Sequence, residues 1–151
     1  MDDLTKIGAL PATSAKTLAQ IDALEAWMLK MAQPDLDTEH IFHAGMYART
    51  IRMPQDMVLT GALMKRATLV IVSGHARVLA GDTWLELEGY HVLPASQGRK
   101  QVFVSVSELF ITMVFPTQAT TVEAAEGEFT DQASMLLSRR QQVSRVFWTG
   151  E

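Results

Sequence analysis

The chain has 151 residues, no cysteine and a formal net charge of -4 at pH 7, with 48% hydrophobic and 20% charged residues. These values fit one globular domain and exclude a disordered chain, a disulfide scaffold, a thiolate metal centre and a cysteine nucleophile. The weakly acidic balance argues against a nucleic-acid partner, since phosphate contacts need clustered Lys and Arg; the adjacent basic pairs Lys65-Arg66, Arg99-Lys100 and Arg139-Arg140 read as solvated surface features.

No apolar run approaches the roughly 18–20 residues of a membrane-spanning helix. The acidic opening MDDLTKIGAL lacks a basic segment leading into an apolar core. The expectation is no membrane partner and a cytoplasmic location.

Pro11 followed by Thr13-Ser14 offers a helix start, with either hydroxyl able to cap. Leu18, Ile21, Leu24, Trp27, Met28 and Met31 follow at helical spacing, predicting a helix from about Ser14 to Gln33 that stops at Pro34. Its wide apolar stripe must pack on the domain or on a partner chain. Pro34 to Phe42 reads as a polar connector. With it come His40 and His43, a spacing that suits a metal only on a helix, and this stretch does not look helical.

From Gly45 the period becomes two: Tyr47, Arg49, Ile51 and Met53 alternate with Met46, Ala48, Thr50 and Arg52. Short strands then follow at about Met57 to Leu63, Thr68 to Ser73, His75 to Leu79, Thr83 to Leu87, His91 to Pro94, Lys100 to Val106 and Leu109 to Phe115. Gly74, Ala80-Gly81-Asp82, Glu88-Gly89 and Gln97-Gly98 separate them, with a chain reversal expected at Ser73-Gly74. This rhythm is that of a β-sandwich or small barrel. The run Leu69-Val70-Ile71-Val72 reads as a strand buried on both faces. Thr117 to Gly127 reads as a polar connector, Thr130-Asp131 as the cap of a final helix reaching about Gln142, and Val143 to Trp148 as an apolar tail that docks on its own domain or on a neighbour.

The residues Tyr47-Ala48-Arg49, Pro54, Leu59-Thr60-Gly61, Lys65, Leu69, Ile71 and Ser73-Gly74, with Pro94 and Gly98 further on, resemble small cupin-like proteins encoded by bacteriophages and prophages. The resemblance covers about Tyr47 to Phe115, roughly half the chain. It implies a mainly β fold: a cupin or jelly-roll barrel of about eight short antiparallel strands within a single domain. A helical arm (1–42) precedes the barrel (45–116), and a C-terminal helix with a tail (128–151) follows it.

Active cupins hold a divalent metal through His and Glu. In the register of this family the ligand positions fall near Met64, Ala67 and Thr68, and Met57 to Gly74 contains no His, Glu, Asp or Cys. No His follows His91, and Glu108 is the nearest acidic residue. The resemblance therefore implies a barrel that has lost its metal, with no cofactor. Metal-free epimerases of this family use an inner-face His with an acidic or Tyr partner. His75 and His91 are candidates by position and read as surface or edge histidines; His91 with Glu108 or Glu39 is the pair to examine.

The leading functional expectation is a non-enzymatic structural or protein-interaction module. In a phage setting it would decorate a capsid or engage a host protein, in the virion or the host cytoplasm. A homo-oligomer is expected, with Trp27, Met31, Val146, Phe147 and Trp148 as contacts. The alternatives are a small-molecule-binding barrel lined by Met64, Trp84, Met113 and His91, and a metal-independent isomerase or epimerase. No Gly-x-Ser-x-Gly elbow, P-loop or dinucleotide fingerprint occurs.

Overall fold

A computed structural model describes residues 9–136 and 144–150. Helix α1 (Ala15–Met28) leads into eight strands, interrupted by one more helix. The strands are β1 (Asp37–His43), β2 (Met46–Met53), β3 (Val58–Thr60), β4 (Thr68–Ala80), β5 (Thr83–Ala95), β6 (Val102–Ser105), β7 (Leu109–Pro116) and β8 (Ser144–Trp148). Helix α2 (Val122–Phe129) and a single 3-10 turn (Ala133–Met135) lie between β7 and β8. The fold is mainly β, a sheet curled into a barrel-like sandwich in the order β3-β6-β4-β7-β2-β1-β8, with β5 paired to β4.

The hairpin of β4 and β5 makes the curl. The two strands stay in register from Thr68↔Ala95 to Ala80↔Thr83. β4 pairs with β7 over Leu69–Ser73 and with β6 over Ala76–Leu79, so it passes from one half of the sandwich to the other at Gly74. A Cβ on Gly74 would lie 2.5 Å from the Glu108 carbonyl oxygen. The Gly74 backbone also has a positive φ, which suits glycine alone. The expected reversal at Ser73-Gly74 is thus a bend within one thirteen-residue strand. Gly89, opposite Gly74, likewise bends β5 instead of ending it. Burial strictly alternates from Leu69 to Val72, with Val70 and Val72 inside and Leu69 outside, so this run is not buried on both faces as expected.

The connector before Gly45 is strand β1, joined to β2 by the two-residue turn Ala44-Gly45. Both turn residues have positive φ, the hairpin geometry that matches strand twist. Helix α1 starts where expected, with Ser14 Oγ accepting from Thr17 N at 3.2 Å, which satisfies one of the open amides of the first turn. It ends at Met28 rather than Gln33. The Gln33 side chain donates to the Met28 carbonyl at 2.8 Å and so takes up an acceptor that a continuing helix would use. Only Thr17 and Ile21 of α1 are buried, and Trp27 and Met31 stay exposed.

The helix expected from Thr130 is displaced toward the N-terminus. α2 is capped by Thr121, whose hydroxyl accepts from Ala124 N at 3.1 Å, and it has already ended at Phe129. Thr130 is extended and donates its hydroxyl to the Leu63 carbonyl at 2.8 Å. The remainder of that expected helix, 137–142, and Val143 lie outside the described residues. The tail is β8, which runs parallel to β1 from Thr38↔Ser144 to Phe42↔Trp148; it pairs with its own domain and is the one exception to the antiparallel pattern among the described strands.

The interior has two clusters. One is aliphatic, built on Val70, Val72, Val78, Leu85, Leu87 and Leu109. The other is aromatic and sits under α2, built on Phe42, Tyr47, Phe115 and Phe129.

Candidate functional site

Inner-face residues of β2, β4, β6 and β7 line a half-open cavity of about 130 Å³ between these clusters. The period of two sends Arg49 and Ile51, Val70, Phe103, and Ile111 and Met113 inward from their strands. Glu25 of α1 and Gln132, Met135 and Leu136 complete the wall. The lining is mostly apolar, but three ionisable groups border it, and each is held differently.

Arg49 donates through Nη1 to Glu126 Oε2 of α2 at 3.0 Å, and Glu126 is fully buried. Glu25 faces Lys100, whose ammonium lies 3.2 Å from Glu25 Oε1 and 3.0 Å from Asp22 Oδ1. Thr60 Oγ1 also donates to Glu25 Oε2 at 2.9 Å. Arg99 is 2% exposed and bonds only to uncharged acceptors: Thr68 Oγ1 at 2.7 Å, Ser96 O at 2.9 Å and Arg66 O at 3.4 Å, with Met113 Sδ at 4.0 Å. Among the described residues no carboxylate lies within ion-pair distance of it, and burial lowers its pKa to about 10. Among the described residues its Nε has no hydrogen-bond partner, nor has Nε2 of Gln101, which also lines the cavity and is 6% exposed.

Beside the cavity, in the aromatic cluster, His40 is fully buried. Its Nδ1 lies 2.6 Å from the Tyr47 hydroxyl, and its Nε2 has no partner among the described residues. Burial first, and then the Arg49 guanidinium, lower its pKa to about 4. Burial likewise raises the pKa of the Tyr47 phenol.

Of the residues expected to line a pocket, Met64 and Met113 border the cavity. Trp84 is exposed on β5. His91 is half-buried opposite Val72, bonded through Nε2 to the Glu88 carbonyl and away from the cavity. Neither Glu108 nor Glu39 meets it: Glu108 pairs with Arg52 at 2.7 Å, and Glu39 lies 3.5 Å from Arg145. His75 pairs with Glu86 on the outer face at 2.7 Å. Of the expected oligomer contacts, Trp27, Met31, Phe147 and Trp148 are exposed, whereas Val146 packs on the aromatic cluster. Trp148 stacks on Phe42 and donates its indole N–H to the Thr120 carbonyl at 2.9 Å.

The pair Arg99-Lys100 is a correction. Both residues are buried, not solvated, because the turn between β5 and β6 passes beneath α1. No local signal could have shown this, since their partners lie up to 87 residues away. His40 was legible only as part of a His pair; on β1 it points inward, while His43 points outward and is exposed.

A divalent metal of the kind the sequence resemblance evokes does not fit this cavity. Among the described residues its one carboxylate, Glu25, is engaged by Lys100 and Thr60, no imidazole lines it, and two guanidinium groups border it. No group of three or more His, Asp or Glu placed to hold a metal ion occurs among the described residues.

No protein-family model matches the sequence, and neither does any curated protein. Solved structures similar to this one include several described as cupin or double-stranded β-helix proteins. A cupin superfamily protein from Desulfitobacterium hafniense is 10% identical, with a TM-score of 0.47 over 62% of this chain and 87% of its own. A protein with a double-stranded β-helix domain from Klebsiella pneumoniae is 12% identical, with a TM-score of 0.48 over 63% and 84%. KdgF from Halomonas sp. is 15% identical, with a TM-score of 0.47 over 58% and 84%. At these identities the likeness is one of fold alone.

Proposed function

We propose that this chain is a small-molecule-binding barrel that uses its internal cavity without catalysing a reaction. One observation supports this above the others: a cavity with largely apolar walls among inner-face strand residues, with only a few polar residues, Arg99 and Gln101 among them, on its border. Apolar walls with a few convergent polar groups are the usual make-up of a ligand site. Catalysis is the weaker reading, because Glu25 and Arg49 are committed to ion pairs and Arg99 keeps its proton at ordinary pH.

The test is native mass spectrometry of the full chain, combined with ¹³C-methyl spectra in which Met64 and Met113 report on the cavity. A retained small mass, or ligand-induced shifts confined to those methyls, is the expected result. Bare chains with unmoving methyls across a chemically broad ligand library would overturn the reading.

A second reading rests on a different surface. Leu69 of β4, Tyr90 and Val92 of β5 and Phe110 of β7 are all exposed and share the outer face of adjacent strands, Tyr90 at 68% exposure. Contiguous apolar exposure of this kind marks an interface. Under this reading two copies pair through these faces and the chain serves as a structural or interaction module, of which a role on a virion or against a host protein is a special case. Light scattering of Leu69→Glu decides it: an assembly that falls to monomers supports the interface, and a wild-type monomer at high concentration removes it.

A further inference from the structure

We infer that the occupant of the cavity is a neutral molecule with a compact apolar body, which enters between β3 and the 3-10 turn, and that the site rejects ions of either sign. This rests on the reading of the cavity as a ligand site and adds the chemical class of the occupant and its way in.

The charges on the wall leave nothing for an ion to meet. Arg49, Arg99 and Glu25 are the charged residues that line the cavity. Arg49 is paired with Glu126, and Glu25 with Lys100, which also holds Asp22. Among the described residues, the wall and its partners thus carry three positive and three negative groups, which cancel. Arg99 spends its terminal nitrogens on Thr68, Ser96 and Arg66. Its unpaired Nε, like Nε2 of Gln101, is itself buried and does not open on the cavity. An ion entering here would give up its water and gain no counter-charge, a strongly unfavourable exchange.

A polyol fares no better. Thr60 Oγ1 donates to Glu25, and Gln132 Oε1 accepts from Leu63 N at 3.0 Å, so these polar groups are already engaged. A sugar would lose hydrogen bonds to water that the wall does not return. What the wall does offer is hydrocarbon and thioether, from Ile51, Met64, Val70, Phe103, Ile111 and Met113, and this favours apolar surface leaving water. The cavity volume is about 130 Å³. An engineered apolar cavity of about 150 Å³ takes up benzene, which sets the enclosed body at about four to seven non-hydrogen atoms. Met64, Val70, Phe103 and Ile111 are buried and form the floor. Leu59, Gly61, Ala62 and Gln132 are half-buried and Met135 is 37% exposed, so the open side lies between β3, with the residues that follow it, and the 3-10 turn. One uncharged polar group placed at that side stays in water. Small cyclic or branched hydrocarbons, alcohols and ketones fit the class.

The experiment titrates the full chain at neutral pH with ligands that share a body and differ in charge. Toluene, benzyl alcohol, benzoate and benzylammonium form one set; isobutanol, isovalerate and isobutylammonium form a branched one. Calorimetry and the Met64 and Met113 methyls are the readouts. At least one neutral member should bind about tenfold or more tightly than both ions of its set. Ala62→Phe and Met135→Trp narrow the open side from its two walls, and either one, if folded, should weaken that neutral ligand by about fivefold or more. An ion that binds as tightly as its neutral counterpart overturns the neutral class while the cavity stands as a ligand site. Neutral binding unchanged in both folded variants overturns the way in. Silence of both methyls toward the whole panel overturns the site itself.

Discussion

The two ends of the barrel interior are held together by different means. At the aliphatic end Val70, Val72, Val78, Leu85, Leu87 and Leu109 cluster, and a side chain there needs only to be apolar and of the right volume. At the aromatic end Tyr47 meets Phe115 edge-on at 5.4 Å and Phe115 meets Phe129 at 6.0 Å. Threaded among these rings are the Arg49–Glu126 pair, His40, and the Arg66 guanidinium 4.4 Å from the centre of the Phe115 ring. The first end tolerates many sequences. The second depends on named partners that arrive from β1, β2, β7 and α2, and the cavity lies at the border where the two regimes meet.

Substitutions should separate the two regimes. Glu126→Ala leaves the Arg49 charge buried without its carboxylate and should cost about 3–5 kcal/mol in chemical denaturation. Replacing both partners, as Arg49→Met with Glu126→Leu, should recover most of that loss, because the penalty lies in the uncompensated charge; a double variant as unstable as the single one would show that α2 is held by this pair specifically.

His40 supplies the pH signature of the aromatic end. Its pKa is about 4 in the folded state against an ordinary 6.5, so the unfolded chain binds the proton more readily. Stability is therefore full above pH 6.5, falls as pH drops toward 4 and levels off below it. The whole loss amounts to roughly 3 kcal/mol by proton linkage. A denaturation series in His40→Phe should flatten across that window, and a window unchanged in this variant would assign the acid sensitivity elsewhere.

Gly74→Ala tests the bend shared by both ends. A methyl there meets the Glu108 carbonyl on a backbone of positive φ, and the strain and overpacking together should cost about 2–3 kcal/mol. The smallest effect belongs to the surface. Lys65→Met breaks the 2.7 Å contact to Asp131, whose side chain is almost wholly in water. The change in stability should stay below about 1 kcal/mol, as for other exposed ion pairs.

Several strands and the first helix start were legible in the sequence. Alternation over Met46–Met53 gives β2 directly, and Ser14 marks the start of α1. Gly74 misled because a glycine at a strand bend and one at a chain reversal look alike; what separates them is the pairing of β4 with both β6 and β7, a long-range fact. α2 did leave a signal, a Thr121 cap followed by Val122, Ala125 and Phe129 at helical spacing, which the surrounding Thr and Glu masked. The charged groups of the site left none. Arg99, Lys100 and Glu126 carry the residue types of a solvated surface, and only the β5–β6 turn passing beneath α1 and the seating of α2 on the barrel take them out of water.

The parallel pairing of β8 with β1 has a consequence in time. Arg145 lies opposite Glu39, 106 residues earlier in the chain. On a ribosome adding about 5–20 residues per second, β1 therefore waits about 5–20 seconds for the strand that covers its outer edge. Through that interval a row of amide and carbonyl groups stands open to any other nascent chain nearby. Ser144 and Arg145, at the start of β8, bring a charge to the strand that seals it.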